Sequence, residues 1–297
     1  MKKYFIASDI HDDVDALKIF VDYAAAQQAD GIWLIGDLQL RPYSKGSLDD
    51  YINTGDKEKF IDEKRLHSRD ILGQMKEILA SSEVQHYLIP GNYDGNLDVT
   101  AIFGEKNLHL QTTMIDGVKI VGYGGANELS RHVMILEHLG EMAEFDPKAM
   151  YALLEKEKPQ IVFSHTPPQG MCDNMFDGTN PGIKELREYI EKYHPKLVIS
   201  GHIHEAGPNG NNPSNIRGIV CYPHQDQSTI VVNPGNLGRW EILNPRDLST
   251  VKQFPHGTFA EIRLDDDGAP KWLNQYTLSL PNYKVGKVRK IRGGRLL

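Results

Sequence analysis

Five short polar motifs mark the first two-thirds of this 297-residue chain, and each follows directly on a short apolar segment. An apolar run of four or five residues that ends in a polar loop is typical of a buried β-strand. The motifs are Asp9-Ile10-His11, Gly36-Asp37, Gly91-Asn92-Tyr93-Asp94, Ser164-His165 and Gly201-His202-Ile203-His204. Because α/β folds gather their chemistry in loops at the carboxyl ends of strands, we expect these side chains to meet.

The Asp, Asn and His side chains of the motifs form a set of hard and imidazole ligands. Asp9 and His11 lie two residues apart just past a strand end, where alternate side chains face the same way. The seven candidate metal ligands are Asp9, His11, Asp37, Asn92, His165, His202 and His204. Mixed oxygen and imidazole ligation suits Mn, Fe, Zn, Co or Ni, with Mn or Fe favoured, because Ca and Mg prefer more oxygen. The sequence therefore predicts two divalent or trivalent metal ions.

A pair of ions in this setting indicates a hydrolytic function. Two ions about 3.5–4 Å apart lower the pKa of a bridging water, hold a phosphoryl oxygen and offset the charge of an in-line displacement. Hydroxide is then present at neutral pH. No Ser or Cys nucleophile and no separate general base is required.

The rest of the sequence alternates strand and helix signals and then changes to strands alone. Val14–Gln28 and Lys57–Ala80 carry apolar residues at helical spacing, and Asp12 or Asp13 is a plausible N-cap of the first helix. Asp116-Gly117 between two apolar segments predicts a type I′ hairpin. This mixture predicts one α/β (α+β) sandwich with αββα layers, and not two independent domains.

Composition narrows the class of partner. The formal net charge of −7 argues mildly against a dedicated nucleic-acid or anionic-membrane binder, although nucleic acid stays possible. The two cysteines, Cys172 and Cys221, form no Cys-x-x-Cys pattern and indicate a reduced, cytoplasmic protein. We expect no signal peptide and no transmembrane helix, because the N-terminus has no apolar core and no run of eighteen apolar residues occurs. A small phosphorylated substrate is expected, and the oligomeric state stays open.

Taken in order, the five motifs resemble those of the calcineurin-like metallophosphoesterase superfamily. Its pattern is Asp-x-His, Gly-Asp-x-x-Asp, Gly-Asn-His-Asp/Glu, a later His and Gly-His-x-His. The resemblance implies a four-layer αββα sandwich as a single domain over residues 1–283. It also implies two metal ions and a bridging carboxylate. One ion would be held by Asp9, His11 and His204, and the other by Asn92, His165 and His202, with Asp37 bridging them.

Two residues depart from the family pattern. Leu40 stands in place of the second Asp of Gly-Asp-x-x-Asp, which is a supporting position. Tyr93 replaces the His of Gly-Asn-His-Asp, which in many members donates a proton to the leaving oxygen or steadies the phosphoryl group. A phenol, with an ordinary pKa near 10, is a poorer acid than imidazolium. The resemblance therefore implies a phosphodiesterase that favours good leaving groups, in which a hydroxide bridging the two ions attacks phosphorus and Asp37, Asn92 and Tyr93 are the catalytic residues.

Two other functions stay open from the sequence. One is a phosphomonoesterase that acts on nucleotides or other small phosphorylated molecules. The other is a binding or scaffold protein, stabilised by metal but without turnover.

Three features outside the motifs carry further expectations. The polar stretch from Arg41 to about Lys57 is long for a connection in this fold type, so we expect it to fold over the site. Residues 284–297 hold six Lys or Arg and no acid, which indicates a basic C-terminal tail, either solvated or used as an arm for an acidic partner. Among the other histidines, His224 is the one to watch, because its loop follows the last motif.

Overall fold

The structure, a computed structural model, describes residues 1–40, 42–126, 131–208, 210, 217–243, 250–254, 256–279, 282 and 284–292. The helices are α1 (Val14–Ala26), α2 (Lys45–Thr54), α3 (Lys57–Ala80), α4 (Asn96–Phe103), α5 (Arg131–Leu139), α6 (Pro147–Glu157) and α7 (Lys184–Tyr193). Of these described helices, none combines the length and the hydropathy needed to cross a membrane. The strands are β1 (Lys2–Ala7), β2 (Gly31–Ile35), β3 (Gln85–Ile89), β4 (Gln111–Ile115), β5 (Val118–Tyr123), β6 (Ile161–Ser164), β7 (Leu197–Ile199), β8 (Ile219–Pro223), β9 (Ser228–Val232), β10 (Trp240–Leu243), β11 (Thr250–Phe254), β12 (His256–Leu264), β13 (Pro270–Ser279) and β14 (Lys284–Arg292).

Twelve of the described strands form two six-stranded mixed sheets. The first has the order β14-β13-β12-β1-β2-β3, in which β1, β2 and β3 are parallel and the other three are antiparallel. The second has the order β4-β5-β6-β7-β9-β8, with four parallel strands at its centre. β10 and β11 pair with each other as a separate ribbon. The five polar motifs follow β1, β2, β3, β6 and β7, so both sheets contribute to the site.

The two sheets pack face to face, with helices on both outer sides. Between the sheets, Tyr4 stacks on Trp33 with ring centroids 4.1 Å apart, and Trp33 packs against Phe163 of the second sheet at 4.9 Å. Phe20 of α1 belongs to the core outside the first sheet, and Leu186 of α7 to the core outside the second. These three apolar layers confirm the predicted four-layer αββα sandwich.

Local signals explain several element boundaries. Asp13 caps α1, because its side chain accepts a hydrogen bond of 3.1 Å from the backbone N–H of Ala16, as one of the two predicted alternatives requires. Between β4 and β5, Asp116 has φ 49° and Gly117 has φ 82°. Two consecutive left-handed residues are what a type I′ hairpin needs, and the strands on either side pair as predicted.

The segment between β2 and α3 contains a helix, α2, that is not predicted from the sequence. Ser44 caps α2 through its side chain, and Gly55 ends it in the left-handed region with φ 73°. Tyr51 stacks on Phe60 of α3 with ring centroids 5.0 Å apart. The two caps and this aromatic contact outweigh the polar composition that suggested an irregular connection.

The basic segment at the C-terminus contributes the last strand of the first sheet. β14 pairs antiparallel with β13, with Lys284 opposite Ser279 and Arg292 opposite Trp272. The prediction of a solvated tail is therefore wrong for residues 284–292, and residues 293–297 lie outside the described chain. The physical reason is that β13 is ten residues long and gains a full ladder of backbone hydrogen bonds from this partner.

A buried ion-pair network ties α3 to the segments that follow β3. Lys64 is only 1% exposed, and its ammonium group pairs with Asp98 of α4 and with Glu141 at 3.1 Å. Glu141 also pairs with Arg65 at 2.8 Å. The ammonium of Lys64 lies beside Gly95, the first residue after the third motif. The network therefore fixes the start of α4 next to the loop that carries Asn92.

Buried His109 should make the stability of the protein depend on pH. Burial lowers the pKa of His109 from 6.5 to about 4, and its Nδ1 accepts the backbone N–H of Gly124 at 2.9 Å. Since the folded pKa lies below the unfolded one, this contribution is complete above pH 6.5 and is lost as the pH falls towards 4. One pKa unit corresponds to about 1.4 kcal/mol, so we expect a loss of about 3 kcal/mol in the free energy of unfolding.

Chemical denaturation at pH 7 and pH 4.5 measures this effect. In the His109→Gln variant the amide oxygen can still accept the hydrogen bond but does not titrate. The stability advantage of wild type over the variant should therefore shrink at the lower pH. A difference that does not change with pH would mean that His109 does not titrate as its burial requires.

Candidate metal centre

The first group of candidate ligands joins the loops after β1 and β7. Oδ1 of Asp9 lies 3.1 Å from Nε2 of His204, which lies 3.1 Å from Nε2 of His11. All three residues are buried. Two imidazole nitrogens and a carboxylate oxygen that converge this closely form a donor set suited to a transition-metal cation.

The second group joins the loops after β2, β3, β6 and β7. Nε2 of His165 lies 3.4 Å from Oδ1 of Asp37, and Oδ1 of Asn92 lies 3.0 Å from both Nε2 of His165 and Nδ1 of His202. The opposite nitrogen of His165, Nδ1, donates to the carbonyl oxygen of Ile35 at 2.7 Å. That bond fixes the tautomer, so the lone pair of Nε2 is directed at the other ligands.

The backbone at the ligands is held in an uncommon conformation. Asp9, His11, Asp37 and His202 all have positive φ, between 48° and 64°, although none is glycine. The loops support one another, because the backbone N–H groups of Ile10 and His11 both donate to the carbonyl oxygen of Asp37, at 2.8 and 3.1 Å. Residues in sparsely populated regions persist only where the surroundings hold them, and they concentrate at functional sites.

Each group pairs one imidazole whose pKa is lowered, His11 or His202, with one whose pKa is raised, His204 or His165. Burial, reinforced by the neighbouring His204, lowers the pKa of His11 to about 4. Burial also acts to lower the pKa of His165, but the carboxylates of Asp37 and Asp9 outweigh it and raise the pKa to about 9. A cation that binds the second group at neutral pH must therefore displace the proton of His165, and its uptake should release protons.

Asp94 has a supporting role that the motif alone did not reveal. Its carboxylate accepts three backbone N–H bonds, from Gly91 at 2.8 Å and from Leu38 and Gln39 at 3.0 Å each. Asp94 thus joins the loop after β3 to the loop after β2. A carboxylate two residues past Asn92 was visible in the sequence, but its partners are distant in the chain.

Glycine is required where the loops approach most closely, and Gly201→Ala tests this. A Cβ at Gly201 would overlap the hydroxyl of Ser8 and lie 2.6 Å from Oδ2 of Asp9. We expect a loss of about 1–3 kcal/mol of stability from the overpacking and a metal affinity about 10–100-fold lower, because Asp9 must move. Gly73→Ala in α3 is the matched control, since its Cβ meets nothing within 4 Å.

Denaturation curves and metal titrations of both variants check this prediction. Gly73→Ala should bind metal as wild type does and gain about 0.5–1 kcal/mol, because alanine restricts the unfolded chain. Equal metal affinity in the two alanine variants would contradict the close approach at Gly201.

A cavity of about 420 Å³ opens beside the two groups. Its wall is formed by Asp37, Tyr93, Thr166, Met175, Pro181, Ile183, His202, Ile203, His204, Glu205 and Trp240. Apart from the candidate ligands, this wall is mostly apolar and carries one acid, Glu205. Within the described parts of the chain, no Lys or Arg lines it.

The structure places all seven predicted ligands in the two groups, with Asn92 beside His165 and His202. Tyr93 lines the cavity, and its backbone N–H donates to Oδ1 of Asp37 at 3.1 Å. His224 belongs to neither ligand group and does not line this cavity; its ring stacks on that of His194 with centroids 3.6 Å apart. None of residues 42–57 lines the cavity.

The sequence reading missed the wall residues that come from outside the motifs. Trp240 stacks on His11 with ring centroids 4.4 Å apart, and Met175, Pro181 and Ile183 reach the cavity from the segment before α7. No local pattern marks these residues, because a lone Trp or Met reads as an ordinary core residue. Their role follows only from the fold.

The fold and the two ligand groups define a metal-dependent hydrolase of phosphoric esters. The chain belongs to the calcineurin-like phosphoesterase family, whose model matches residues 2–206. Among solved structures, the protein TT1561 of Thermus thermophilus aligns over 85% of this chain and 98% of its own, with a TM-score of 0.51 and 19% identity. A dimetal phosphatase from Danio rerio aligns over 98% of each chain, with a TM-score of 0.51 and 10% identity. At these identities the two structures support the fold alone. Among curated proteins, none matches the chain significantly.

Proposed function

We propose that this chain is a dinuclear-metal-dependent phosphodiesterase. The observation that carries the choice of a diester is the cavity wall, which holds Glu205 and, among the described residues, no Lys or Arg. A phosphomonoester at neutral pH carries close to two negative charges, and its extra charge would face this carboxylate in a largely apolar pocket. A diester carries one charge and presents a second, uncharged ester group that an apolar wall can accept.

Seven residues are assigned to the ions. Asp9, His11 and His204 would hold one ion, Asn92, His165 and His202 the other, and Asp37 would bridge them. The donor set suits Mn or Fe, as well as Zn, Co or Ni. When bound, the ions would acidify a water for attack on phosphorus and offset charge on the phosphoryl oxygens.

The protein side chains would orient the substrate around that centre. The amide of Asn92 lies between the imidazoles of His165 and His202 and would face the phosphoryl group from the same side as these two rings. Tyr93 lines the cavity and would donate a hydrogen bond from its phenol to an ester oxygen. Because a phenol is a weak acid, the leaving group must depart largely without a proton, which favours groups such as nitrophenolate.

The cellular compartment and the substrate class proposed for this enzyme rest on its cysteines and its net charge. Cys172 and Cys221 are both unbridged, which suits a reduced cytoplasmic setting. The net charge of −7 favours small phosphorylated substrates over nucleic acid.

Hydrolysis of bis-p-nitrophenyl phosphate and of p-nitrophenyl phosphate in Mn-supplemented buffer tests the proposal. The expected result is a diester rate well above the monoester rate, with an Asp37→Asn variant as the blank. A dominant monoester rate would favour a phosphomonoesterase of nucleotides or similar molecules. Bound metal without any rate above the blank would favour a non-catalytic binding protein.

The Tyr93→His variant separates the leaving-group argument from the rest. An imidazolium at this position could protonate an alkoxide, so the rate on alkyl esters should rise relative to the rate on aryl esters. If wild type already hydrolyses alkyl and aryl diesters at equal rates, the role given to Tyr93 is wrong.

A further inference from the structure

The ribbon of β10 and β11 is fastened to the loop that carries Asp9 and His11. Gly238 lies two residues before Trp240, the first residue of β10. Its backbone N–H donates to the carbonyl oxygen of Asp9 at 3.2 Å. Arg239 pairs with the carboxylate of Asp13 through its Nε at 2.9 Å. The start of β10 is therefore held in a defined position beside the first ligand group.

Trp240 projects from this start into the site. Its indole lies nearly parallel to the imidazole of His11, with ring centroids 4.4 Å apart and planes at 23°, and perpendicular to that of His204 at 4.9 Å. It lines the cavity and keeps part of its surface exposed. A partly exposed indole that is fixed by two ligand imidazoles is a rigid aromatic surface at the edge of the metal centre.

The side chains around Trp240 extend this surface. Met175 lines the same cavity, and thioether sulfur makes favourable contacts with aromatic rings. Pro181 and Ile183 add apolar surface, and Tyr93 adds a second aromatic ring, whose plane is 80° from that of His11. The wall can exclude water from a flat apolar group and offers that group aromatic and sulfur partners.

We propose that this wall is a subsite for a planar aromatic ester group of the substrate, with Trp240 as the specificity-determining residue. This inference rests on the proposed function for the position of the phosphoryl group, because the ester group is located next to the metal centre. It names the substrate class as phosphodiesters with at least one aromatic or heteroaromatic substituent. A saturated group of equal size would bury the same area but would lack the aromatic contact, which is worth about two- to tenfold in affinity.

Binding of two matched ligands tests the subsite without requiring turnover. The singly charged monomethyl esters of phenylphosphonate and cyclohexylphosphonate have the same charge and ring size but differ in planarity. Calorimetric titration of the Mn-loaded protein should give tighter binding of the phenyl compound by about two- to tenfold. Trp240→Leu should abolish the preference, whereas Trp240→Phe, which keeps a ring against His11, should retain most of it.

Two controls separate the role of Trp240 from damage to the site. Trp272→Leu makes the same substitution at another partly exposed indole, one that packs against Arg263 and not in the cavity. It should leave the preference unchanged. The metal content of each variant is measured before titration, and only preferences, not absolute affinities, are compared.

The outcomes distinguish the two proposals. Equal binding of the two compounds to wild type, or no detectable binding of either, overturns the subsite. An equal loss for both compounds in Trp240→Leu also overturns it, since Trp240 would then act on the site as a whole. A phenyl preference in a protein that hydrolyses no diester supports the subsite but overturns the proposed function, and diester hydrolysis without the preference does the reverse.

Discussion

The Asp37→Asn protein should fold normally and lose at least about a hundredfold of its phosphoesterase activity, since removing even an outer partner of a metal ligand costs about 10–100-fold. The amide has the size of the carboxylate and can still accept the backbone N–H of Tyr93, which lies 3.1 Å from Oδ1. It cannot supply the negative charge that faces His165 at 3.4 Å. Adding Mn should therefore raise the melting temperature of wild type but not that of the variant.

The matched control is Asp22→Asn, at a surface carboxylate. Asp22 is about half exposed and pairs with Lys18 at 2.8 Å on α1, which packs on the outer side of the first sheet. It should keep both the activity and the metal-induced stabilisation. Full turnover by Asp37→Asn would refute the assignment of Asp37, and lost turnover with wild-type stabilisation by Mn would refute its role as a metal ligand.

Lys64→Met should strongly destabilise the protein. The substitution removes the cation from a buried network and leaves Asp98 and Glu141 buried at 2% and 6% exposure. Breaking one side of a buried ion pair costs about 3–5 kcal/mol, because the remaining charge is uncompensated. Urea denaturation of wild type and variant measures the difference in the free energy of unfolding.

Two comparisons make this prediction specific. Lys59→Met removes an exposed ion pair with Asp50 on the neighbouring helix, which is worth about 0–1 kcal/mol. Adding Asp98→Leu to Lys64→Met removes one stranded carboxylate and should recover part of the loss, while Arg65 still pairs with Glu141. If Lys64→Met and Lys59→Met destabilise the protein equally, the network contributes little.

The candidate site could be predicted from sequence because each ligand stands at a strand end. A short apolar run reveals the strand and the polar residues that follow it. The extended geometry expected for Asp9 and His11 is not what brings them together, because both have positive φ, and His202 and His204 lie in different ligand groups. Convergence then follows from the parallel order of the strands, which is a general property of the fold. The layers could be predicted for the same reason, since alternating strands and helices leave few arrangements that bury their apolar faces.

The parts that could not be predicted depend on contacts between distant segments. Trp240 reaches His11 only because β12 pairs beside β1 and the chain before β10 is fastened to the loop after β1. Ser44 and Gly55 are the capping residues that indicate the α2 helix, but the polar composition of the segment between them favours an irregular connection. The sequence of β14 has no alternating pattern strong enough to offset its positive charge. Its strand conformation is explained only by the edge of β13 with which it pairs.

The position of β14 has a consequence for how copies of the chain behave towards one another. It is the outermost strand of the first sheet, and its nine residues include five Lys or Arg. An unpaired strand edge is a template for growth of the sheet into a neighbouring molecule. Two such edges brought together would oppose positive charge to positive charge, and lysine-rich edges are a common means by which β-proteins avoid aggregation. We therefore expect the charge of β14 to disfavour pairing of two copies of the chain through this edge.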